Sequence, residues 1–268
     1  MGPVPLDTGA LAGAGTPSGG PFIEGLGLAS RRSFIARAAV DTLFPERLVA
    51  GYQSFLGDRF RSEQARFREL AEIGQSPTTM VIGCCDSRVS PEVIFDAGPG
   101  ELFVVRNVAN LVPPYTPDGD YHGTSAALEF AVMSLKVSHI VVLGHAQCGG
   151  VRGFASNEVN PEGQPLSPGD FIGKWIKLIA PAYEALGSPK GDIGDFIEKL
   201  ELESIKQSLA NLRTFPCVKI LEERGQLSLH GAFFGVMDGR LRAYDPSSNA
   251  FATIGDEAHS EALASPRF

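Results

Sequence analysis

Long hydrophobic runs are missing from this chain. Its 268 residues contain no stretch of uncharged apolar residues that reaches the roughly eighteen a helical membrane span needs, so no span is expected. Positive charge is also in deficit. Lys and Arg number 23 against 31 Asp and Glu, a formal charge of −8, which argues against nucleic acid and anionic membranes as partners. Any attraction for an anionic substrate must then be local. Cysteine is scarce: Cys84, Cys85, Cys148 and Cys217 make up the total. Their spacing is no disulfide framework, so a reducing, cytoplasmic setting is expected. Ser30-Arg31-Arg32-Ser33-Phe34-Ile35 has the look of a twin-arginine export signal. Arg37 and Asp41 interrupt the apolar stretch such a signal requires, so the segment reads as the basic start of an amphipathic helix.

What is present describes a large α/β domain. Hydrophobic residues make up 43% and charged residues 20%, values of an ordinary globular protein with a sizeable core. Residues 1–29, rich in Gly, Pro, Ala and Ser, read as a mobile tail ahead of a single domain over 30–268. Within that domain, 44–74 carries apolar residues at helical spacing and reads as helical arms. A catalytic body is expected over 79–255. Its buried strands are read at Met80-Val81-Ile82-Gly83, Phe103-Val104-Val105 and Ile140-Val141-Val142-Leu143, with a helix over Gly123–Leu135. Strands alternating with helices predict a mostly parallel central sheet flanked by helices. Residues 169–213 read as mostly helical and include the single tryptophan, Trp175. A hairpin is expected from Leu227–Val236 through Met237-Asp238-Gly239 to Leu241–Tyr244.

The chemistry is concentrated at two strand ends. Gly83-Cys84-Cys85-Asp86-Ser87-Arg88 follows the first body strand, and Gly144-His145-Ala146-Gln147-Cys148-Gly149-Gly150 follows the third. Open α/β sheets bind ligands at the carboxyl ends of their strands, so the motifs converge although Cys84 and His145 stand 61 positions apart. Cys84, His145 and Cys148 supply two thiolates and an imidazole. That set suits a zinc ion that keeps one coordination position open for a water. Because two thiolates neutralise the ion, the bound water should ionise toward alkaline pH. Asp86 has two possible roles: a fourth ligand, or an acceptor for the proton of the zinc-bound water. A bidentate pair with Arg88 would hold it off the metal. Cys85 reads as a buried small hydrophobe and Cys217 as structural. His139, His230 and His259 have no partner motif, and His122 is a possible proton relay.

The combination Cys84-x-Asp86-Ser87-Arg88 with His145-x-x-Cys148 resembles the β-class carbonic anhydrases, and the resemblance runs from about Phe44 to about Tyr244. It includes Pro99–Asn110 and Leu135-Lys136-Val137. The resemblance implies zinc on Cys84, His145 and Cys148, with Asp86 and Arg88 as a catalytic dyad. It implies reversible hydration of carbon dioxide to bicarbonate and a proton, in a homodimer or tetramer whose arms embrace a neighbour. By position it makes Gln75 a substrate-orienting glutamine and Phe103 and Val108 an apolar wall for carbon dioxide. Gly149 takes the position whose N–H faces the substrate, and Phe130 stands where plant members carry a tyrosine. Val81 replaces the tryptophan of the bicarbonate-inhibited subgroup, so an open site without a bicarbonate switch is expected. Hydrolysis of carbonyl sulfide or carbon disulfide on the same scaffold, or a non-catalytic zinc protein with Asp86 as fourth ligand, are the rival readings. Retention of Gln75 and Arg88 speaks against the non-catalytic one.

Overall fold

A computed structural model describes residues 44–118, 122–159 and 170–255. The expected tail, 1–29, and the twin-arginine segment lie outside the described residues. The chain divides into two compact units, Met1–Gln64 and Ala65–Phe268. The first contains α1 (Glu46–Gly57) and the start of α2 (Arg59–Ile73), so the boundary falls inside the region read as arms. Neither helix has a buried residue. Phe44, Leu48 and Tyr52 are all more than half exposed, an apolar stripe at helical spacing.

The second unit is built on a six-stranded sheet. Its strands are β1 (Thr79–Cys84), β2 (Leu102–Asn107), β3 (His139–His145), β4 (Ser228–Phe234), β5 (Leu241–Asp245) and β6 (Ala250–Thr253). Their order is β2-β1-β3-β4-β5-β6. The pairs β1–β2, β1–β3 and β3–β4 are parallel, while β4–β5 and β5–β6 are antiparallel. The expected parallel core and hairpin are both present. The strand β6 was not anticipated, because Ala250-Phe251-Ala252-Thr253 is too short and weakly apolar to stand out. It is formed by a turn in which the Asp245 carboxylate accepts from Ser247 and Ser248 and Asn249 takes a left-handed φ of 53°.

Burial on both faces explains the uninterrupted apolar strands. On one face, Met80, Ile82, Ile140 and Val142 pack with residues of the helices α4 (Gly123–Glu129), α8 (Ile193–Leu212) and α9 (Pro216–Glu223). On the other, Val81, Leu143 and Ala232 form a smaller cluster, joined by Ile94 of the short helix α3 (Pro91–Ile94). The helix α8 lies close on the sheet. A Cβ at Gly144 would come within 2.6 Å of Ile205, and only glycine fits there.

Two expected helices differ in detail. Gly123–Leu135 is α-helical as far as Glu129, then widens into a π-helical stretch over Phe130–Leu135 that closes with Val137 N–H on Ala131 O. The region after 169 is broken into α6 (Asp170–Ile176), α7 (Ala180–Leu186) and α8. Gly187, at φ 71°, ends α7, and the Asp192 carboxylate caps α8 by accepting from the N–H groups of Gly194 and Asp195. The helix that follows β3, α5 (Gly149–Val159), begins at the second motif.

Candidate metal centre

The strand register brings the two motifs together. Leu143 is level with Gly83 and Asn107 with Cys84, so the ends of three strands meet at one edge of the sheet. There the Sγ atoms of Cys84 and Cys148 and a ring nitrogen of His145 lie within 4.8 Å of one another, all three side chains buried. The imidazole is already oriented. Its Nδ1 lies 2.9 Å from Ala146 O, to which it donates, and this leaves Nε2 carrying the lone pair. That Nε2 is buried without a hydrogen-bond partner. An orphaned acceptor beside two thiols fits a soft tetrahedral ion such as zinc.

The surroundings favour thiolate. Cys84 is held well below the usual thiol range, chiefly by the hydrogen bond from Cys148. The N–H groups of Asp86 and Ala109 also point to its sulfur. Cys148 is correspondingly pushed up by sharing a proton with Cys84, although it stands at the N-terminus of α5 with the N–H groups of Val151 and Gly150 aimed at it. A bound metal ion would take the place of that shared proton and hold Cys84 and Cys148 both as thiolates.

Asp86 and Arg88 form a bidentate pair. Arg88 donates from Nε to Oδ1 at 2.9 Å and from Nη2 to Oδ2 at 2.7 Å, and its peptide N–H donates to Oδ1 at 3.0 Å. These bonds hold the Asp86 carboxyl well below the usual carboxylate range. Arg88 Nη2 reaches on to Gln147 O at 3.2 Å, which ties the first motif to the second. Asp86 Oδ2 lies 4.0 Å from His145 Nε2, beside the metal position and engaged by Arg88.

The remaining predicted residues fall into two groups. Val108 and Gly149 lie by the triad. Val108 opens a 3-10 turn, Val108–Asn110, directly after β2. A Cβ at Gly150 would meet Val108 Cγ1 at 2.9 Å, so this turn rests on the start of α5. Gly149 is the first residue of α5, where the peptide N–H is free of the helix. Phe103 and Phe130 pair with each other instead, ring centroids 5.9 Å apart. Phe103 is level with Met80, four residues before Cys84, which places it about 13 Å along the strand from the metal edge. Phe130 is 48% exposed, and Gln75 is exposed on the connection before β1. Within one chain, then, these three residues stand away from the triad.

Sequence reasoning missed several supporting residues. Arg106 donates to Cys84 O at 2.7 Å and to Asp86 O at 2.6 Å, fixing the backbone of the first motif. Cys148 N–H donates to Glu201 Oε1 at 2.7 Å, and burial pushes this carboxyl up to about 7. Trp175 Nε1 donates to Val108 O at 2.8 Å. A signal existed for Glu201: it is an acid on the buried stripe of α8, between Leu200 and Ser204. Cys85 corrects an expectation. It is exposed, because the strand ends at Cys84 and Cys85 keeps just its N–H bond to Asn107 O. With Val108, His122 and Trp175 it lines a cavity of about 600 Å³. His122 is exposed there and hydrogen-bonded to Asp118.

The chain matches the carbonic anhydrase family over residues 79–241. It belongs to the β-carbonic anhydrases. A carbonic anhydrase of Synechocystis sp. (strain ATCC 27184 / PCC 6803 / Kazusa) is 35% identical over 207 residues, 75% of this chain and 71% of that protein. The solved structure of the β-carbonic anhydrase CcaA aligns with a TM-score of 0.66 at 33% identity, over 78% of this chain and 91% of that one. One of two tetrameric β-carbonic anhydrases from Sordaria macrospora aligns at 0.62 and 29% identity, over 74% and 95%. As a β-carbonic anhydrase the chain is a zinc-dependent lyase that hydrates carbon dioxide reversibly, with Cys84, His145 and Cys148 as its zinc site. Among the described residues, no helix is long and apolar enough to cross a membrane.

Proposed function

We propose that this β-carbonic anhydrase works as a constitutively open enzyme, with Asp86 as hydrogen-bond acceptor and Arg88 as its restraint. The observation that carries the reading is the bidentate Arg88–Asp86 pair beside His145 Nε2. Zinc would supply a Lewis acid that makes a water nucleophilic, increasingly so as pH rises. Asp86, kept ionised by Arg88, accepts a hydrogen bond from that water and aims its lone pair at carbon dioxide. Val108 forms the apolar wall against which carbon dioxide rests, held in place through Trp175. The Gly149 N–H, at the positive end of α5, receives the negative charge that develops on the substrate oxygens.

Gln75, Phe103 and Phe130 complete the substrate pocket in a homo-oligomer, where one copy offers them to the site of another. The exposure of Gln75 and Phe130 and the distance of Phe103 from the triad of its own chain support this, as does the tetrameric assembly of the Sordaria proteins. The dimer is the minimal unit and the tetramer its doubled form. His122, beside Val108 in the cavity wall and paired with Asp118, passes the released proton to buffer. The four cysteines, spaced without a disulfide pattern, support a reducing, cytoplasmic setting, and the acidic balance speaks against nucleic acid as a partner.

Stopped-flow hydration from pH 7 to 9, with zinc assayed in the same sample, tests the reading. Zinc near one per chain with hydration already present near neutrality and rising with pH is expected. One zinc per chain with hydration appearing just above pH 8 would mean a closed site, with Asp86 on the metal.

A further inference from the structure

His139 and His230 stand far from the zinc centre, yet they make a close pair. His139 is the first residue of β3 and exposed, and His230 is exposed on β4. His230 is level with Val141, two residues along β3 from His139, so both imidazoles project from the same face of the sheet. His139 Nδ1 lies 3.2 Å from His230 Nε2, with ring centroids 5.3 Å apart. Six residues of strand, about 20 Å, separate His139 from His145 at the other end of β3.

Two imidazole nitrogens bound to one ion, each about 2.0–2.1 Å from it, stand about 2.9 Å apart at a right angle and about 3.4 Å apart at a tetrahedral angle. The spacing of 3.2 Å falls between these limits. We propose that His139 and His230 form a second metal site, a bis-imidazole chelate for a divalent copper, nickel or zinc ion, with water completing the coordination. Imidazole suits these late first-row ions. The ion sits to one side of the line between the two nitrogens, the shared hydrogen is given up, and the donating ring carries its proton on its outer nitrogen instead. Partial desolvation and the neighbouring His139 lower the pKa of His230, which favours its neutral, ligating form. A bound ion ties β3 to β4 at the end of the sheet that zinc does not reach.

Nickel is the probe of choice, because it does not oxidise the exposed Cys85 thiol. Zinc-loaded enzyme titrated with Ni²⁺ by calorimetry should bind one further ion per chain while retaining its zinc. His139→Ala and His230→Ala should each weaken that binding about a hundredfold, since one ligand then acts without its preorganised partner. Both variants should hydrate carbon dioxide like the parent, which shows that they fold and keep zinc. Ni²⁺ should raise the melting temperature of the parent and leave that of the variants unchanged. His122→Ala serves as a surface-histidine control and should bind Ni²⁺ normally. No second ion in the parent, undiminished binding in His139→Ala and His230→Ala, or loss in His122→Ala instead would each overturn the proposal.

Discussion

The peptide N–H of Cys148 points at the carboxyl of Glu201, 2.7 Å away, joining a zinc ligand to the middle of α8. Removing the acceptor leaves a buried N–H unpaired, a loss of about 1–3 kcal/mol. Glu201→Ala should therefore release zinc to a coloured chelator about ten- to a hundredfold faster than the parent. Glu201→Gln keeps an acceptor oxygen and should release it at close to the parental rate. An unaltered rate in Glu201→Ala would remove Glu201 from the support of the metal site.

Asp86→Asn retains the shape of the side chain and loses the charge that Arg88 holds. Hydration should fall about a hundredfold or more with zinc still bound. Arg88→Lys cannot rebuild the two parallel bonds and should behave like a partial Asp86 defect. Stopped-flow rates on zinc-assayed samples decide this, and a near-normal Asp86→Asn enzyme would end the proposed role.

The direction of the Asp86 shift fixes its pH signature. Its folded-state pKa is depressed by Arg88, so the stability it contributes is complete above the unfolded value of about 3.9. That contribution is lost as pH falls through the lower folded value. Asp86 is thus ionised throughout the working range, and the hydration profile from pH 5 to 9 should show a single ascending limb. A second inflection between pH 5 and 7, absent from Asp86→Asn, would contradict this.

If Gln75 serves the site of a second copy, two inactive variants should repair each other. Gln75→Ala and Asp86→Asn, unfolded and refolded as a mixture, form mixed dimers in which one site has both residues intact. Activity should recover to about a quarter of the parental value. Mixtures no more active than the mean of the two variants would return Gln75 to its own chain or to no role.

His122→Ala should lower the maximal rate at low buffer concentration and leave kcat/KM unchanged, because proton release follows the carbon dioxide step. Added imidazole should restore the rate. A variant insensitive to buffer would show that the proton leaves by another path.

The metal triad was legible because its ligands follow uninterrupted apolar strands, and the ends of parallel strands are where a chain must turn and expose function. Asp86 and Arg88 could be read as a pair because two residues of separation allow both bonds. What escaped depends on distance in the chain. Nothing near Cys148 signals that its N–H will meet Glu201; the one hint was the place of this acid on the apolar stripe of α8, and it names no partner until the helix is seen to lie against the motif. Cys85 misled because strand alternation was carried one residue past the last rung. Phe103 and Phe130 were placed with Val108 by resemblance; within one chain the register sets Phe103 near the start of β2, and Phe130, on the π-helical stretch, pairs with it there.

The zinc ligands come from the ends of β1 and β3 and are closed by α5, so an ion held there would join a strand pair that ladder hydrogen bonds, apolar packing and the Arg88–Gln147 bond also align. A slip of one residue between β1 and β3 would shift Cys84 by about 3.3 Å against His145 and turn side chains to the opposite face. Three ligand atoms now within 4.8 Å would no longer close on one ion. Zinc therefore acts as a proof-reader of strand alignment: a misregistered sheet cannot retain the metal, and zinc content measures how much of a refolded preparation has paired its strands correctly.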